Sequence, residues 1–269
     1  MPEQAKPLPV SSSEPPKFAP QQEELFRLVL KILNAEHVPY AVSGAFALHE
    51  HTGIWRDTKD LDIFTPSDQI PRCLEILKSS GLETEICDPV WLCKARVGDY
   101  FVDLISGMSN AVIRVDLSWI ERAFDSHVLG IPTQVLAAEE LIASKIFVAF
   151  RERFDGADIA HLLYASGNSM DWNRLLTMAG DHWGMLLWSL ILFRYVYPGS
   201  NAVPRWVWDD LLVRLRVDLE NPNPEAPFRG SLVDERMFAI DVREWNLHNV
   251  IDEYRKQAEA KPEVAEPAA

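Results

Sequence analysis

The sequence predicts an α+β fold: a mixed sheet with helices, followed by a mainly helical C-terminal domain. Three observations carry this. Helical and strand periods alternate between residues 22 and 81. Three strand-like runs, LETEIC, VWLCKARV and YFVDLIS, then follow one another. From about residue 135 the remaining periodic segments are helix-like.

The elements follow in order. QEELFRLVLKILNAEHV, 22–38, spaces Leu25, Leu28, Leu30, Ile32 and Leu33 as a helix does. PYAVSG reads as a short strand ending at a glycine turn, and AFALHEHTG as one or two helical turns stopped by Gly53. KDLDIF alternates polar and apolar residues, a strand period, and Pro66 ends it. DQIPRCLEILKSSG, 68–81, is predicted as a helix with a glycine stop. After the three strands, VLGIPTQVL carries the chain across a boundary near 130–137. AAEELIASKIFVAFRERF, ADIAHLLYASG, DWNRLLTMAG, the 183–197 run and PRWVWDDLLVRLR are then predicted helices. Six of the nine Trp lie beyond residue 170, which predicts an aromatic-rich core for that half.

Composition bounds the rest. Residues 1–20 and 256–269 are rich in Pro, Glu and small residues, and are expected to be disordered because they cannot bury enough surface to offset ordering. This leaves a sheet domain over 21–134 and a helical domain over 135–255. The longest apolar run, 183–198, falls short of the roughly 18 residues of a membrane span and carries Arg194, so a buried helix is expected and no membrane partner. No export signal is visible, which points to the cytoplasm. Cys73, Cys87 and Cys93 form no C-x-x-C pair and are expected to be reduced thiols. The net charge of −14 repels long polyanions, so DNA is disfavoured as a partner.

In a strand, Asp60 and Asp62 stand on one face. Two such carboxylates repel one another, and a divalent cation between them removes that repulsion. Mg²⁺ suits hard oxygen ligands and keeps phosphate oxygens in its shell. A third acid from a neighbouring strand would complete the site. Asp103, in YFVDLIS, has that setting, with Asp116 in IRVDLSW as the rival. Ser43-Gly44 opens a helix, where backbone N–H groups receive anions, and Ser43 adds a hydroxyl. A phosphate turn beside a metal pair is equipment for phosphoryl or nucleotidyl transfer. Asp155 and Asp158 are expected to cap the following helix and oppose its dipole. Arg56 could pair with phosphate or with Asp60, and Lys145 flanks an apolar helical face. His49 and His51 are two apart and share no helical face, so zinc is not expected.

VSG followed by RDTKDLDIF resembles the signature of the DNA polymerase β-type nucleotidyltransferase superfamily. Arg56, Thr58, Asp60 and Asp62 match the Arg-x-Thr-x-Asp-x-Asp run of its minimal and AbiEii-like branch, and FVDLI resembles that branch's third-carboxylate strand, favouring Asp103. Residues 139–163 resemble its downstream lysine helix and Asp-rich turn; Ser43 stands where the family usually has Gly. The resemblance implies a nucleotidyltransferase-type sheet and transfer of an NMP from an NTP such as ATP to an acceptor hydroxyl, with pyrophosphate leaving. Asp60 and Asp62 would hold two Mg²⁺ ions, and Asp103 would ligate the catalytic one and help deprotonate the acceptor. Ser43, Gly44 and Lys145 would contact the triphosphate. The acceptor, whether small molecule, protein or RNA, is left open. So are two alternatives: a non-catalytic nucleotide-sensing or partner-binding protein on the same fold, and a toxin-type enzyme that modifies tRNA or protein.

Overall fold

The structure is a computed structural model that describes residues 14–259. Helix α1 (Pro20–Ala35) forms first, with Pro20 at its start and Glu23 in its first turn, both favoured there. It buries Leu25, Phe26, Val29, Leu30 and Leu33 as one stripe. Strand β1 (Ala41–Val42), helix α2 (Gly44–Thr52), strand β2 (Asp62–Phe64) and helix α3 (Ile70–Ser79) follow. Gly53 closes α2 in the left-handed conformation, φ 71°, as the sequence leads one to expect.

Strands β3 (Glu83–Asp88), β4 (Leu92–Val97) and β5 (Tyr100–Ile105) form an antiparallel meander. Helix α4 (Leu117–Glu121) leads to β6 (Phe124–Val128) and β7 (Ile131–Val135). The seven strands pair in the order β3-β4-β5-β2-β1-β7-β6. β2 runs parallel to β5, and β1 parallel to β7, so the sheet is mixed. The fold is α+β as predicted.

Helices α5 (Ala138–Ala143), α6 (Gly156–Ser166), α7 (Trp172–Ala179), α8 (Trp183–Val196) and α9 (Arg205–Glu220) make up the helical part. They are followed by α10 (Gly230–Val233), α11 (Ala239–Arg243) and α12 (Ile251–Glu259). One apolar cluster runs from Leu25 in α1 through Leu104 in β5 to Leu163, Leu190 and Ile251, so the 130–137 crossing is no break in the core.

Several expectations need correction. The helix predicted over 137–154 stops at Ala143. Turns follow, and the chain doubles back so that Asp155 N–H donates to the Val148 carbonyl at 3.0 Å. Ile146, Phe147, Val148 and Phe150 are poor helix formers, so little resists the turn. Strand β2 is three residues long, and Asp60 lies in a bend before it. The aromatic-rich helical core is realised only in part: Trp172 is buried and Trp183 and Trp208 pack against the core, whereas Trp188, Trp206 and Trp245 are exposed. The apolar run at 183–198 is buried on one face only, through Leu186, Leu187, Leu190 and Phe193, with Ile191 and Tyr195 exposed on the other. Together with α7 it makes a helical run, Trp172–Val196, that meets the length and composition of a membrane span.

Of the two segments expected to be disordered, 1–13 and 260–269 lie outside the described residues. The Phe18 ring packs on Phe26 and Phe46 at 5.2 and 5.9 Å, Pro20 already belongs to α1, and 256–259 continue α12.

Candidate active site

The site is built on one row across the sheet. The registers pair Glu85 with Lys94, Lys94 with Asp103, and Asp103 with Asp62. Directly opposed residues share a face, so these four side chains stand in line across β3, β4, β5 and β2. Asp60 joins them from outside the strand. Its bend is held by Thr58, whose hydroxyl donates to the Asp60 carboxylate at 3.0 Å. Carboxylate oxygens of Asp60, Asp62 and Asp103 all lie within 4.8 Å of one another. Among the described residues this is the one group of three acids, histidines or cysteines so arranged.

The phosphate-turn candidate closes against this cluster. Ser43 N–H donates to the Asp62 carbonyl at 2.9 Å, and Ser43 is buried. Gly44 then begins α2 at φ +58°, and a Cβ there would overlap the Asp62 carboxylate. Glycine is therefore required twice, for its backbone angle and for the space.

The three acids repel as expected. Burial, with Asp60 and Asp103 nearby, pushes Asp62 up to about 7 from an ordinary 3.8. Burial also raises Asp103, while its ion pair with Lys94 works the other way. The rival acid Asp116 is elsewhere engaged: it caps α4, accepting from Ser118 N–H at 2.9 Å.

Facing the acids is a knot of charge. Lys145 Nζ reaches Asp155 at 2.6 Å and Asp158 at 3.1 Å. Arg153 donates twice to Asp155, both at 2.9 Å, and Arg56 donates to Asp158 at 2.8 Å. Two expectations change here. Arg56 pairs with Asp158, not Asp60. Asp155 stands at the N-cap position of α6 yet makes no capping bond, because buried Lys145 and exposed Arg153 take its oxygens. Burial alone would raise the Asp155 carboxyl, but Arg153 and Lys145 outweigh it and hold it below the usual range. Lys145, predicted on a helix, sits in the turn after α5. His49 stacks on Trp55 at 4.0 Å and His51 bonds the Leu136 carbonyl, so neither joins the acids. The three cysteines are free thiols.

A cleft of about 560 Å³ joins these parts. Ser43, Gly44, Arg56, Asp60, Asp62, Asp103 and Lys145 all line it. Phe64, Trp91, Ile105, Met108 and Phe147 make an apolar wall. Sequence reasoning missed two residues. Arg153 lay in a stretch predicted as helix, and its pairing depends on the turn that replaced it. Lys94 shares a face of β4 with Leu92 and Arg96 and alternates with buried Cys93 and Ala95, a visible strand period, but its register against Asp103 cannot be read from the sequence.

No protein-family model matches the chain, and no curated protein does. Solved structures resemble it loosely. The solution structure of the antibiotic-resistance factor ANT(2'')-Ia is 15% identical, with a TM-score of 0.41, over 65% of this chain and 97% of that one. The lincosamide antibiotic adenylyltransferase LnuA, solved with lincomycin bound, is 16% identical, TM-score 0.38, over 52% and 95%. JHP933 from Helicobacter pylori is 14% identical, TM-score 0.37, over 84% and 99%. Similarity this low leaves the reading of the cleft to its own side chains.

Proposed function

We propose that the protein is a Mg²⁺-dependent nucleotidyltransferase, moving an NMP from an NTP to an acceptor hydroxyl. The observation that carries this is the convergence of Asp60, Asp62 and Asp103 beside a glycine turn that admits no side chain. Their chemistry suits a hard divalent ion: carboxylate oxygens lie within 4.8 Å, and burial, with the neighbouring acids adding to it, holds Asp62 at about 7. Asp60 and Asp62 would be the principal ligands and Asp103 a further one, a set able to serve two ions. Bound there, the metal would offset charge at the reacting phosphate and make the acceptor hydroxyl more acidic.

The protein's own groups do the rest. The Gly44 N–H, at the N-terminus of a nine-residue helix, would receive a phosphate oxygen. Lys145, Arg153 and Arg56 outnumber Asp155 and Asp158 by three charges to two, giving a net positive field opposite the acids. Lys145 would act through that field, since two carboxylates hold it. Asp103 would accept the acceptor's proton as the new bond to phosphorus forms. The Arg56-x-Thr58-x-Asp60-x-Asp62 run supports the minimal or AbiEii-like branch as the source of this site.

Thermal melts with Mg²⁺ and each NTP test the reading. Wild type should gain stability from one or more Mg²⁺–NTP pairs, and Asp62→Asn should gain much less. Equal gains in both would remove the metal from this site.

A further inference from the structure

Lys94 is the one cation in direct contact with the acid cluster among the described residues, and the metal reading gives it no task. Its ammonium bonds Asp103 Oδ1, and the pair is nearly sheltered, with side chains 15% and 13% exposed. A divalent ion ligated by the same carboxylate would meet that ammonium at once. On the opposite side of Lys94 in the same row stands Glu85, whose side chain is 52% exposed and holds Arg96 at 2.8 Å through Oε2. A carboxylate has capacity for a second donor. The Phe101 ring lies under the ammonium, 3.6 Å from Nζ, a surface that attracts a cation in more than one position.

Resting on the metal reading above, we propose that Lys94 is a resident counter-cation. It neutralises Asp103 while no divalent ion is bound, and it swings to Glu85 when one enters. The charge of Asp103 is then offset in both states. Without metal the cation sits on Asp103; with metal, ion and ammonium each occupy their own acid. Metal entry would thus carry a built-in competitor, which offsets the charge of Asp103 between turnovers while Asp60 and Asp62 still face one another.

The test is Mn²⁺ binding to the full chain, followed by the electron paramagnetic resonance signal of the free ion. Lys94→Met should bind Mn²⁺ about tenfold more tightly than wild type, the size of effect expected from losing one part-buried competing ion pair. Lys94→Gln, closer in shape and polarity, should show the same direction if the Met variant folds poorly. Glu85→Gln should weaken binding about threefold in wild type and leave the Lys94→Met background unchanged, a coupling that only a moving ammonium produces. Equal effects of Glu85→Gln in both backgrounds, or unaltered or weaker binding by both Lys94 variants, would overturn the proposal. Asp62→Asn separates the two levels. If it abolishes binding while the Lys94 variants fail as above, the metal site stands and the counter-cation role falls. If it binds like wild type, or if wild type binds no Mn²⁺, the metal reading itself falls.

Discussion

Gly44 is the residue on which the site turns most sharply. Its positive φ and the absence of room for a Cβ against Asp62 act together. Gly44→Ala should cost about 3 kcal/mol in urea unfolding, from strain plus overlap, and should abolish Mg²⁺–NTP stabilisation. The sequence showed that a glycine stood there after a strand; it could not show that the atom crowding it belongs to Asp62. For Asp62 the sign of the pH effect follows from its raised value near 7. The folded protein holds that proton more tightly than the unfolded chain does. The resulting stability is complete below about pH 4 and is lost as the pH rises toward 7. Asp62→Asn, without metal, should therefore overtake wild type across that window and exceed it at pH 8 by on the order of 2 kcal/mol. Denaturant melts at pH 5 and pH 8 would measure this; a difference independent of pH would contradict it. Asp103→Asn should abolish turnover, since losing a general base costs roughly 10²–10⁴ and losing a metal ligand adds to that, while leaving NTP binding largely intact. Asp116→Asn, which keeps an oxygen able to cap α4 and removes only the charge, should leave both near wild type.

At the scale of elements, alternation in KDLDIF correctly brought Asp60 and Asp62 to one place, but by another route. Only Asp62 is in the strand, and the Thr58 hydroxyl bends Asp60 back toward it. Local chemistry of that kind leaves a faint trace in sequence, a Thr two residues before the acid. The end of α5 left less. Apolar residues at 146–150 continue a plausible helix, and what ends it is distant: Lys145 must turn to reach Asp155 and Asp158. Asp155→Asn should then destabilise the fold by about 3 kcal/mol, because it leaves buried Lys145 with a single acid partner. Chemical denaturation would show it. A change under about 0.5 kcal/mol would mean that the carboxylate was only an exchangeable helix cap.

For the whole molecule, the fold class was legible because it depends on the order of periods along the chain, which is local information. Strand order and register were not, because they are set by contacts far apart in sequence. The parallel pairing of β2 with β5, which sets Asp62 against Asp103, closes a loop of about forty residues. The same convergence predicts a pH-dependent metal affinity. A cation must displace the proton on Asp62, so Mn²⁺ binding should weaken as the pH falls below about 7. The net charge of −14 leaves the Arg56–Lys145–Arg153 knot as the attractive feature for a triphosphate and disfavours long polyanionic acceptors.

The measurement that bears most directly on the account is label transfer in a cell extract with Mg²⁺, using each NTP labelled either at the α- or at the γ-phosphate. The account predicts that α-label becomes attached to an acceptor with release of pyrophosphate. It also predicts that γ-label does not transfer, and that Asp103→Asn abolishes the reaction. Transfer of γ-label instead, or α-label transfer that survives in Asp103→Asn, would contradict it.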